Sequence, residues 1–213
     1  KFAVPMVSAG RAHTLALLGD GTVYGWGNSV GGALGSQYTG SNLSTPKPIY
    51  VKNAATGAYS IMSNVVAVSA GDGFSMALTA DGNVYAWGAN LYGQLGTQDA
   101  VSDSVNEPKL VLKSLAAGDG NSDADGRLNH IVAISAGMTH AMALAVDGTV
   151  YAWGKAVQGQ LGFYHSATPN QGSDFTYISR PTPVVKNDNT KLTGVVDLAA
   201  ASDFSLALTA SGL

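Results

Sequence analysis

One stretch of the chain has residue types that could bind a metal ion. Between Asp119 and Gly126, side chains that carry oxygen donors alternate with small residues. This spacing is typical of the start of a calcium-binding loop, with Gly126 at the sharp turn when the loop is counted from Asn121. The same count puts Val132 where such a loop needs a bidentate glutamate. Two interpretations stay open, a solvated turn rich in Asp and Asn or a calcium site formed by Asn121, Asp123 and Asp125.

The histidines do not predict a catalytic site. His13 and His140 occupy equivalent positions in a repeated segment, and Phe74 and Phe204 take their place in two other copies. Because phenylalanine cannot transfer a proton, this exchange indicates packing or a bond to the backbone. The chain has a single glutamate, Glu107, and it lacks the zinc-protease motif H-E-x-x-H, a Walker loop and the dinucleotide motif G-x-G-x-x-G. We expect a protein that is not an enzyme and needs no cofactor.

Composition excludes several further functions. The net charge is -3 and the Lys and Arg residues are scattered singly, whereas nucleic-acid binding needs clustered positive charge. The absence of cysteine rules out disulfides and thiolate metal sites, and no apolar run is long enough for a membrane-spanning helix. With 46% hydrophobic residues, 27 glycines and only 12% charged residues, the chain is expected to be globular and all-β, with short strands and tight turns.

The elements that must position any site come from one repeated unit. Four segments align without gaps, and they begin at Val7, Val68, Ile134 and Leu198. The predicted repeats span residues 4–64, 65–130, 131–194 and 195–213, the last of them truncated. In the second copy, strand-like residues 75–80 and 83–87 flank Asp81 and Gly82. This pair predicts a β-hairpin closed by a type I′ turn.

Both faces of each predicted hairpin are apolar. Alternation places Met76 and Leu78 on one face, yet Ala77 on the other face is also apolar. A sheet covered on both faces is typical of a propeller blade, which lies between two neighbouring blades. Tyrosine and tryptophan recur as a Tyr-x-Trp pair in every complete copy, as at Tyr85 and Trp87. We expect these rings to pack between blades.

The unit resembles the regulator of chromosome condensation repeat family. The common pattern is A-G-x-x-H-[ST]-x-A-L-x-x-D-G-x-V-Y-x-W-G-x-N-x-x-G-Q-L-G. This chain departs from the family pattern at Phe74, Phe204 and Ala201. The resemblance implies an all-β fold, a β-propeller of seven blades, of which these repeats form an incomplete arc of about three and a half. We therefore expect a segment of a longer polypeptide, with the remaining blades supplied by the same chain or by another.

The connectors between the hairpins differ in length and are expected to form one face of the disc. They run over residues 36–64, 97–130 and 163–194. Aromatic anchors among polar residues are typical of protein-binding surfaces, although some of these rings will pack their own loops. The predicted partner-binding residues are Tyr38, Tyr59, Phe163, Tyr164, His165, Phe175 and Tyr177.

The sequence favours a non-enzymatic binding module or scaffold that presents these loops to a protein or glycan partner. Its Ala, Gly, Ser and Thr content resembles bacterial members of the family, so an exported or cell-surface protein is expected, with the cytoplasm as the other setting. The alternative is a regulator of an enzyme, because the family includes a guanine-nucleotide exchange factor for a small GTPase and an inhibitor of β-lactamases. A light-sensing function, for which a plant member of the family uses tryptophans beside the repeated His, is not expected here, because no tryptophan precedes the repeated His or Phe position.

Overall fold

The computed structural model describes residues 3–38, 40, 42–97, 101–113, 126–162 and 176–211. Blade 1 is a sheet of β1 (Met6–Ala9), β2 (His13–Leu17), β3 (Val23–Asn28) and β4 (Asn42–Pro48), and a hairpin of β5 (Tyr50–Lys52) and β6 (Tyr59–Ile61) follows it. Blade 2 contains β7 (Val65–Ala70), β8 (Phe74–Thr79), β9 (Val84–Asn90) and β10 (Ser102–Leu110). Blade 3 contains β11 (Ile131–Ala136), β12 (His140–Ala145), β13 (Val150–Lys155) and β14 (Tyr177–Pro183). Blade 4 contains β15 (Val195–Ala200) and β16 (Ser205–Thr209).

The four sheets stand side by side as an arc of propeller blades. Consecutive strands pair antiparallel within each blade, and the innermost strands β1, β7, β11 and β15 contact one another in that order. The predicted all-β architecture of propeller blades is confirmed. No helix among the described residues is long and apolar enough to cross a membrane.

An apolar layer fills the space between each pair of neighbouring blades. Leu15 of β2 and Trp87 of β9 belong to the layer between blades 1 and 2. Met76 and Trp153 belong to the layer between blades 2 and 3, and a third layer around Met142 joins blades 3 and 4. Every side chain of β8 and β12 is buried, so the expected covering of both faces is confirmed for blades 2 and 3. The predicted packing of the tryptophans between blades is confirmed for blades 2 and 3, where Trp87 and Trp153 are fully buried, whereas Trp26 of blade 1 is only half-buried.

The Asp-Gly pairs close the hairpins, but not through the predicted type I′ turn. Gly82 has a φ of 81°, whereas Asp81 keeps a negative φ. The Gly82 N–H donates to the Thr79 carbonyl at 2.9 Å, which is the bond of a type I turn followed by a left-handed glycine. In the equivalent turn of blade 1, the Thr22 N–H donates to Asp20 Oδ1 at 2.9 Å. This bond between the aspartate side chain and the backbone stabilises the turn with only the glycine left-handed.

Each long connector predicted from the sequence contains a fourth strand. Residues 36–64, 97–130 and 163–194 hold β4, β10 and β14. A strand runs the full length of its sheet, so the loops before and after it leave the blade at opposite ends. The expectation that the connectors form a single face is therefore wrong. Tyr38 precedes β4, whereas Tyr59 follows it in β6, so the two residues lie beyond opposite ends of that strand.

The inner turns of the blades approach one another so closely that they require glycine. A Cβ atom at Gly10 would lie 2.3 Å from the Gly71 carbonyl oxygen, and one at Gly71 would lie 2.6 Å from that of Gly137. At Gly137 the distance to the Ala201 carbonyl oxygen would be 2.4 Å. Only a residue without a side chain fits at these three positions. In blade 4 the equivalent residue is Ala201.

A serine on each of the inner strands β1, β7 and β11 holds the inner strand of the next blade. The Ser8 hydroxyl oxygen accepts a hydrogen bond from the Ala70 N–H at 3.0 Å. Ser69 accepts from the Ala136 N–H at 2.9 Å, and Ser135 joins blade 4 through a bond of the same length. These bonds occupy backbone donors that the sheets themselves leave unpaired.

Replacing Gly71 by alanine is expected to destabilise the fold by roughly 1–3 kcal/mol, because its Cβ would overlap backbone that cannot move freely. Gly19→Ala is the matched control, since its Cβ would lie no closer than 3.7 Å to Pro5 and should change stability by less than about 0.5 kcal/mol. Urea unfolding followed by circular dichroism measures both variants. Equal stability of the two variants would show that the inner turns do not depend on glycine.

Candidate functional site

A buried hydrogen-bond network crosses the junction between blades 1 and 2. Ser75 Oγ donates to the Ala33 carbonyl at 2.8 Å, so it accepts the bond from His13 Nε2 at 2.9 Å. Trp87 Nε1 donates to the same Ala33 carbonyl at 2.8 Å. One carbonyl oxygen of blade 1 therefore binds two side chains of blade 2, and the histidine is neutral with its proton on Nε2.

The same arrangement recurs between blades 3 and 4. Ser205 Oγ donates to the Gln160 carbonyl at 2.7 Å, and His140 Nε2 lies 3.0 Å from Ser205 Oγ. The Nδ1 atom of His140 is buried and has no hydrogen-bond partner among the described residues. The serine again accepts from Nε2–H, so blade 3 holds blade 4 as blade 1 holds blade 2.

The junction between blades 2 and 3 replaces this polar pair with an apolar one. Phe74 stands at the histidine position, and Ala141 stands at the serine position of the following blade. Both residues are fully buried in one apolar layer. The tryptophan bond is kept, because Trp153 Nε1 donates to the Gln94 carbonyl at 2.8 Å. A histidine therefore faces a serine in two junctions, whereas a phenylalanine faces an alanine in the third. The two positions change together.

Sequence reasoning assigned the repeated His or Phe position to packing or to a backbone bond, and the structure gives the histidine a different partner. Its ring nitrogen bonds a serine side chain of the next repeat. The serine positions were missed. The signal that could have found them is the paired change of His13 with Ser75 and of Phe74 with Ala141 across successive repeats.

Burial changes the acid–base properties of both histidines. Loss of solvation lowers the pKa of His13 to about 4, and the nearby Asp72 carboxylate opposes this shift only in part. The pKa of His140 is lowered to about 4 for the same reason, again opposed by an acidic neighbour, Asp203. Both rings are neutral at physiological pH. Because their Nε2 atoms are bonded inside the protein, neither ring is placed to act as a general base on a substrate.

One segment has the letters of a hydrolase motif without its geometry. Gly27 to Gly31 reads G-x-S-x-G, a pattern in which the serine of an active hydrolase stands exposed on a strand-to-helix turn. Here Ser29 is fully buried, and its hydroxyl donates to the Tyr38 carbonyl. This serine therefore holds a loop. Within the part of the chain that the structure describes, no group of three His, Cys, Asp or Glu residues could hold a metal ion.

The outer rim of blades 1 and 2 carries an organised group of side chains. The Tyr59 hydroxyl donates to Glu107 Oε1, so the single glutamate of the chain joins the β5–β6 hairpin to β10. Lys52 Nζ lies 3.7 Å from the same Glu107 oxygen and 5.7 Å from the centre of the Tyr59 ring. Tyr59 and Ile61 remain 41% exposed. We call Lys52, Tyr59, Ile61 and Glu107 the rim cluster.

The structure does not bring the other described partner-binding candidates to the rim cluster. The Tyr38 hydroxyl donates to the Pro48 carbonyl at 3.2 Å, so this ring packs its own loop. Tyr177 begins β14, where it pairs with Lys155. The remaining candidates lie outside the described residues, namely Phe163, Tyr164, His165 and Phe175 for partner binding and Asn121, Asp123 and Asp125 for calcium.

Comparison with known families accounts for this repeated architecture. A model described as the regulator of chromosome condensation (RCC1) repeat matches residues 20–78, 81–144 and 147–208, and a second model of that repeat matches 7–32, 65–94 and 131–160. The chain belongs to the RCC1 repeat family. The predicted family is confirmed, and the blade junctions described above are junctions between RCC1 repeats.

Relatives of known name share this RCC1 region. Protein pim1 of Schizosaccharomyces pombe is 30% identical over 215 residues, which cover 97% of this chain and 35% of pim1. The human probable E3 ubiquitin-protein ligase HERC3 is 34% identical over 161 residues, which cover 75% of this chain and 13% of the ligase. The crystal structure of Kap60 bound to yeast RCC1 (Prp20) contains a chain that matches with a TM-score of 0.73 and 26% identity, over 100% of this chain and 43% of that one. The chain thus spans less than half the length of each of these relatives.

A double-mutant cycle tests the pairing of His13 with Ser75. Ser75→Ala leaves a buried N–H of His13 without its acceptor, which is expected to cost about 1–3 kcal/mol. Adding His13→Phe reproduces the Phe74 and Ala141 pair, so the double variant should be more stable than the sum of the single effects by about 1 kcal/mol. Urea unfolding measures the cycle. The control cycle combines His13→Phe with Ser205→Ala, which share no contact and should add; coupling of equal size in both cycles would contradict the pairing.

Stability is expected to fall as the pH drops from about 6.5 to about 4. The folded-state pKa of His13 and of His140 is about 4, below the ordinary value of 6.5, so the unfolded chain binds protons that the folded chain does not. The contribution of the neutral histidines to the free energy of unfolding is fully present above pH 6.5, and it decreases by up to about 3 kcal/mol per histidine towards pH 4. Urea unfolding at pH 7.5 and 4.5 measures the decrease. The His13→Phe, Ser75→Ala variant should lose about half of it, and an unchanged decrease would contradict the assignment to these rings.

Proposed function

We propose that the chain is a non-catalytic protein-binding module of the RCC1 repeat type, and that the rim cluster is part of its contact surface. The observation that supports this proposal is the β5–β6 hairpin, which exposes Tyr59 and Ile61. The contacts of Tyr59 and Lys52 with Glu107 hold this hairpin against β10. Tyrosine anchors that are already oriented lose little conformational freedom when a partner binds. The Glu107 carboxylate and the Lys52 ammonium group lie beside Tyr59 and can orient a bound partner.

The frame beneath the hairpin suits a binding function. The blades repeat the same buried contacts, so the frame varies little from one repeat to the next. The loops differ, and the β5–β6 hairpin has no counterpart of equal length in the described parts of the other repeats. In repeat proteins, binding specificity resides in such unequal segments because the common contacts are needed for folding.

A second candidate is the regulation of another protein's activity, such as nucleotide exchange on a small GTPase. The likeness to yeast RCC1 over the whole of this chain favours it. In that crystal structure the related protein binds Kap60, and a protein partner is proposed here on that precedent. The ligase relative is matched over only 13% of its length, so ubiquitin-ligase activity is not proposed for this chain.

Other features expected from the sequence stay predictions. They are a glycan partner, inhibition of a β-lactamase, and a place in an exported or cell-surface bacterial protein. A glycan array and nitrocefin hydrolysis with added chain test the first two. Fractionation of the source organism tests the third.

Site-specific crosslinking tests the rim cluster directly. A photoreactive phenylalanine analogue replacing Ile61 is expected to crosslink one discrete protein, since this residue is exposed beside Tyr59. The same analogue at Val146, which is 70% exposed on blade 3, is the matched control and should not give that product. Adding Tyr59→Ala to the first chain should lower the yield about tenfold, as loss of an aromatic anchor does. Equal products at both positions, or none at position 61, would remove the hairpin from the interface.

The second candidate has its own measurement. Release of a fluorescent GDP analogue from a panel of small GTPases is followed with and without the chain. Acceleration that Tyr59→Ala abolishes would assign exchange activity to the rim cluster. Acceleration that this variant leaves unchanged would place the activity elsewhere on the chain. If no GTPase of the panel releases the analogue faster, only the proposal of a binding module remains.

A further inference from the structure

The outer strand of the β5–β6 hairpin has a free side. Among the described residues, β6 pairs only with β5, and β5 in turn contacts β10 of blade 2. Tyr59, Ser60 and Ile61, the three residues of β6, are all exposed. The chain continues from β6 into β7, so this hairpin lies at the junction of blades 1 and 2. One edge of the hairpin is therefore held by its neighbours and the other faces solvent.

The register of the hairpin determines which backbone groups point to the free side. The Asn53 N–H donates to the Ala58 carbonyl at 2.8 Å, so these residues form a bonded pair. Bonded and unbonded pairs alternate along an antiparallel ladder, so the pairs of Tyr59 and of Ile61 with β5 are unbonded. In an edge strand the backbone groups of such residues point away from the partner strand. The N–H and C=O groups of Tyr59 and Ile61 therefore point to the free side, and no described residue bonds them.

The side chains of β6 alternate with the period of a strand. Tyr59 and Ile61 lie on the face that also carries Lys52, whereas Ser60 lies on the opposite face. Tyr59 and Ile61 are each 41% exposed. A strand added to β6 would place one residue beside each of them on that face, two positions apart. Apolar residues fit these two positions, and a polar residue fits between them beside Ser60.

A carboxylate without a cationic partner lies beyond the end of β6. The Val65 N–H donates to the Gly21 carbonyl at 3.1 Å, and this bond holds the Asp-Gly turn of blade 1 against the segment that follows Ile61. Asp20 in that turn is exposed, and no cationic side chain pairs with it among the described residues. A lysine or arginine in the added strand beside Ser63 would complement this charge.

We infer that β6 is the docking edge for an extended segment of a partner protein, in which a basic residue precedes two apolar residues at alternate positions. The inference rests on the proposed function, since it states how the rim cluster is recognised. The segment runs antiparallel to β6, which is the more stable arrangement per residue. Its main chain bonds the N–H and C=O groups of Tyr59 and Ile61, and its basic residue pairs with Asp20. In such β-strand addition, main-chain bonds supply affinity and alternate side chains supply specificity.

A second copy of the chain is a poorer occupant of this edge. Two copies joined through β6 would share an edge of three residues, which offers far less contact than the roughly 1,200 Å² that a stable interface buries. An extended segment reaches the edge without the bulk of a second folded domain. Weak binding is sufficient for such a segment when other contacts of its protein raise its effective concentration.

The test uses a labelled peptide of sequence Lys-Thr-Val-Thr-Val-Thr, added to the 213-residue protein. Saturable binding is expected by fluorescence anisotropy, together with slower hydrogen exchange at the amides of Tyr59 and Ile61. N-methylation of either valine removes a donor that faces β6, and it should weaken binding at least about fivefold. N-methylation of the threonine between the valines alters a group that faces away from β6, and it should change binding less than about twofold.

Two Asp-Gly turns of the protein provide matched variants. Asp20→Asn removes the charge but keeps a side-chain oxygen for the Thr22 N–H, which lies at 2.9 Å, and it should weaken peptide binding about twofold to fivefold. Asp147→Asn makes the same change in blade 3, where the Thr149 N–H donates to Asp147 at 2.9 Å, and it should leave binding unchanged. Replacing the lysine of the peptide by alanine should abolish the difference between the two variants. The N-methylated peptides decide the outcome if Asp20→Asn does not fold.

Three results would overturn the inference. They are an equal effect of N-methylation at valine and at threonine, no added protection of Tyr59 and Ile61, and protection that appears with rising protein concentration in the absence of peptide. The last would assign the edge to a second copy. Failure of this inference is distinguishable from failure of the proposed function, because crosslinking from position 61 reports a side-chain contact and the N-methylated peptides report a backbone contact.

Discussion

The contact between one blade and the next is the interaction on which this structure depends. Every blade carries apolar side chains on both faces, so no sheet of this chain can bury its own surface. Trp87 and Trp153 close two of the layers, and each reaches back to a carbonyl of the preceding blade. Burial of the ring supplies most of the free energy, and the bond to its N–H avoids the cost of an unpaired buried donor. The repeated tryptophan therefore serves packing and polar pairing together.

Polar groups at these junctions give specificity beyond the apolar layers. A histidine meets a serine in two junctions, and a phenylalanine meets an alanine in the third. A blade of one kind placed against the wrong neighbour would leave a buried imidazole N–H or a hydroxyl without a partner, which is costly in an apolar interior. The alternation therefore favours the native order of blades, and it explains why two such different side chains occupy one repeat position.

Much of this fold follows from local patterns in the sequence. The period of the repeat, the alternating apolar residues around Met76 and the Asp-Gly turns predicted hairpins stacked as blades, and these are present. The turn type was wrong because the bonds made by aspartate side chains at the turn favour a form in which only the glycine is left-handed. The connectors were misjudged because β4, β10 and β14 have weak alternation and irregular register. Tyr59 was identified as a candidate, but its bond to Glu107 joins residues 48 positions apart, so no local pattern predicts it.

The sequence by itself determined the repeat, the all-β class and the positions of the Asp-Gly turns, because these depend on residue type and spacing within one unit. Only the tertiary structure decided how units meet. His13 finds Ser75 across 62 positions, and His140 finds Ser205 across 65. Such contacts are set by the packing of whole sheets, since partners distant in sequence meet only after each blade has formed and its faces are buried.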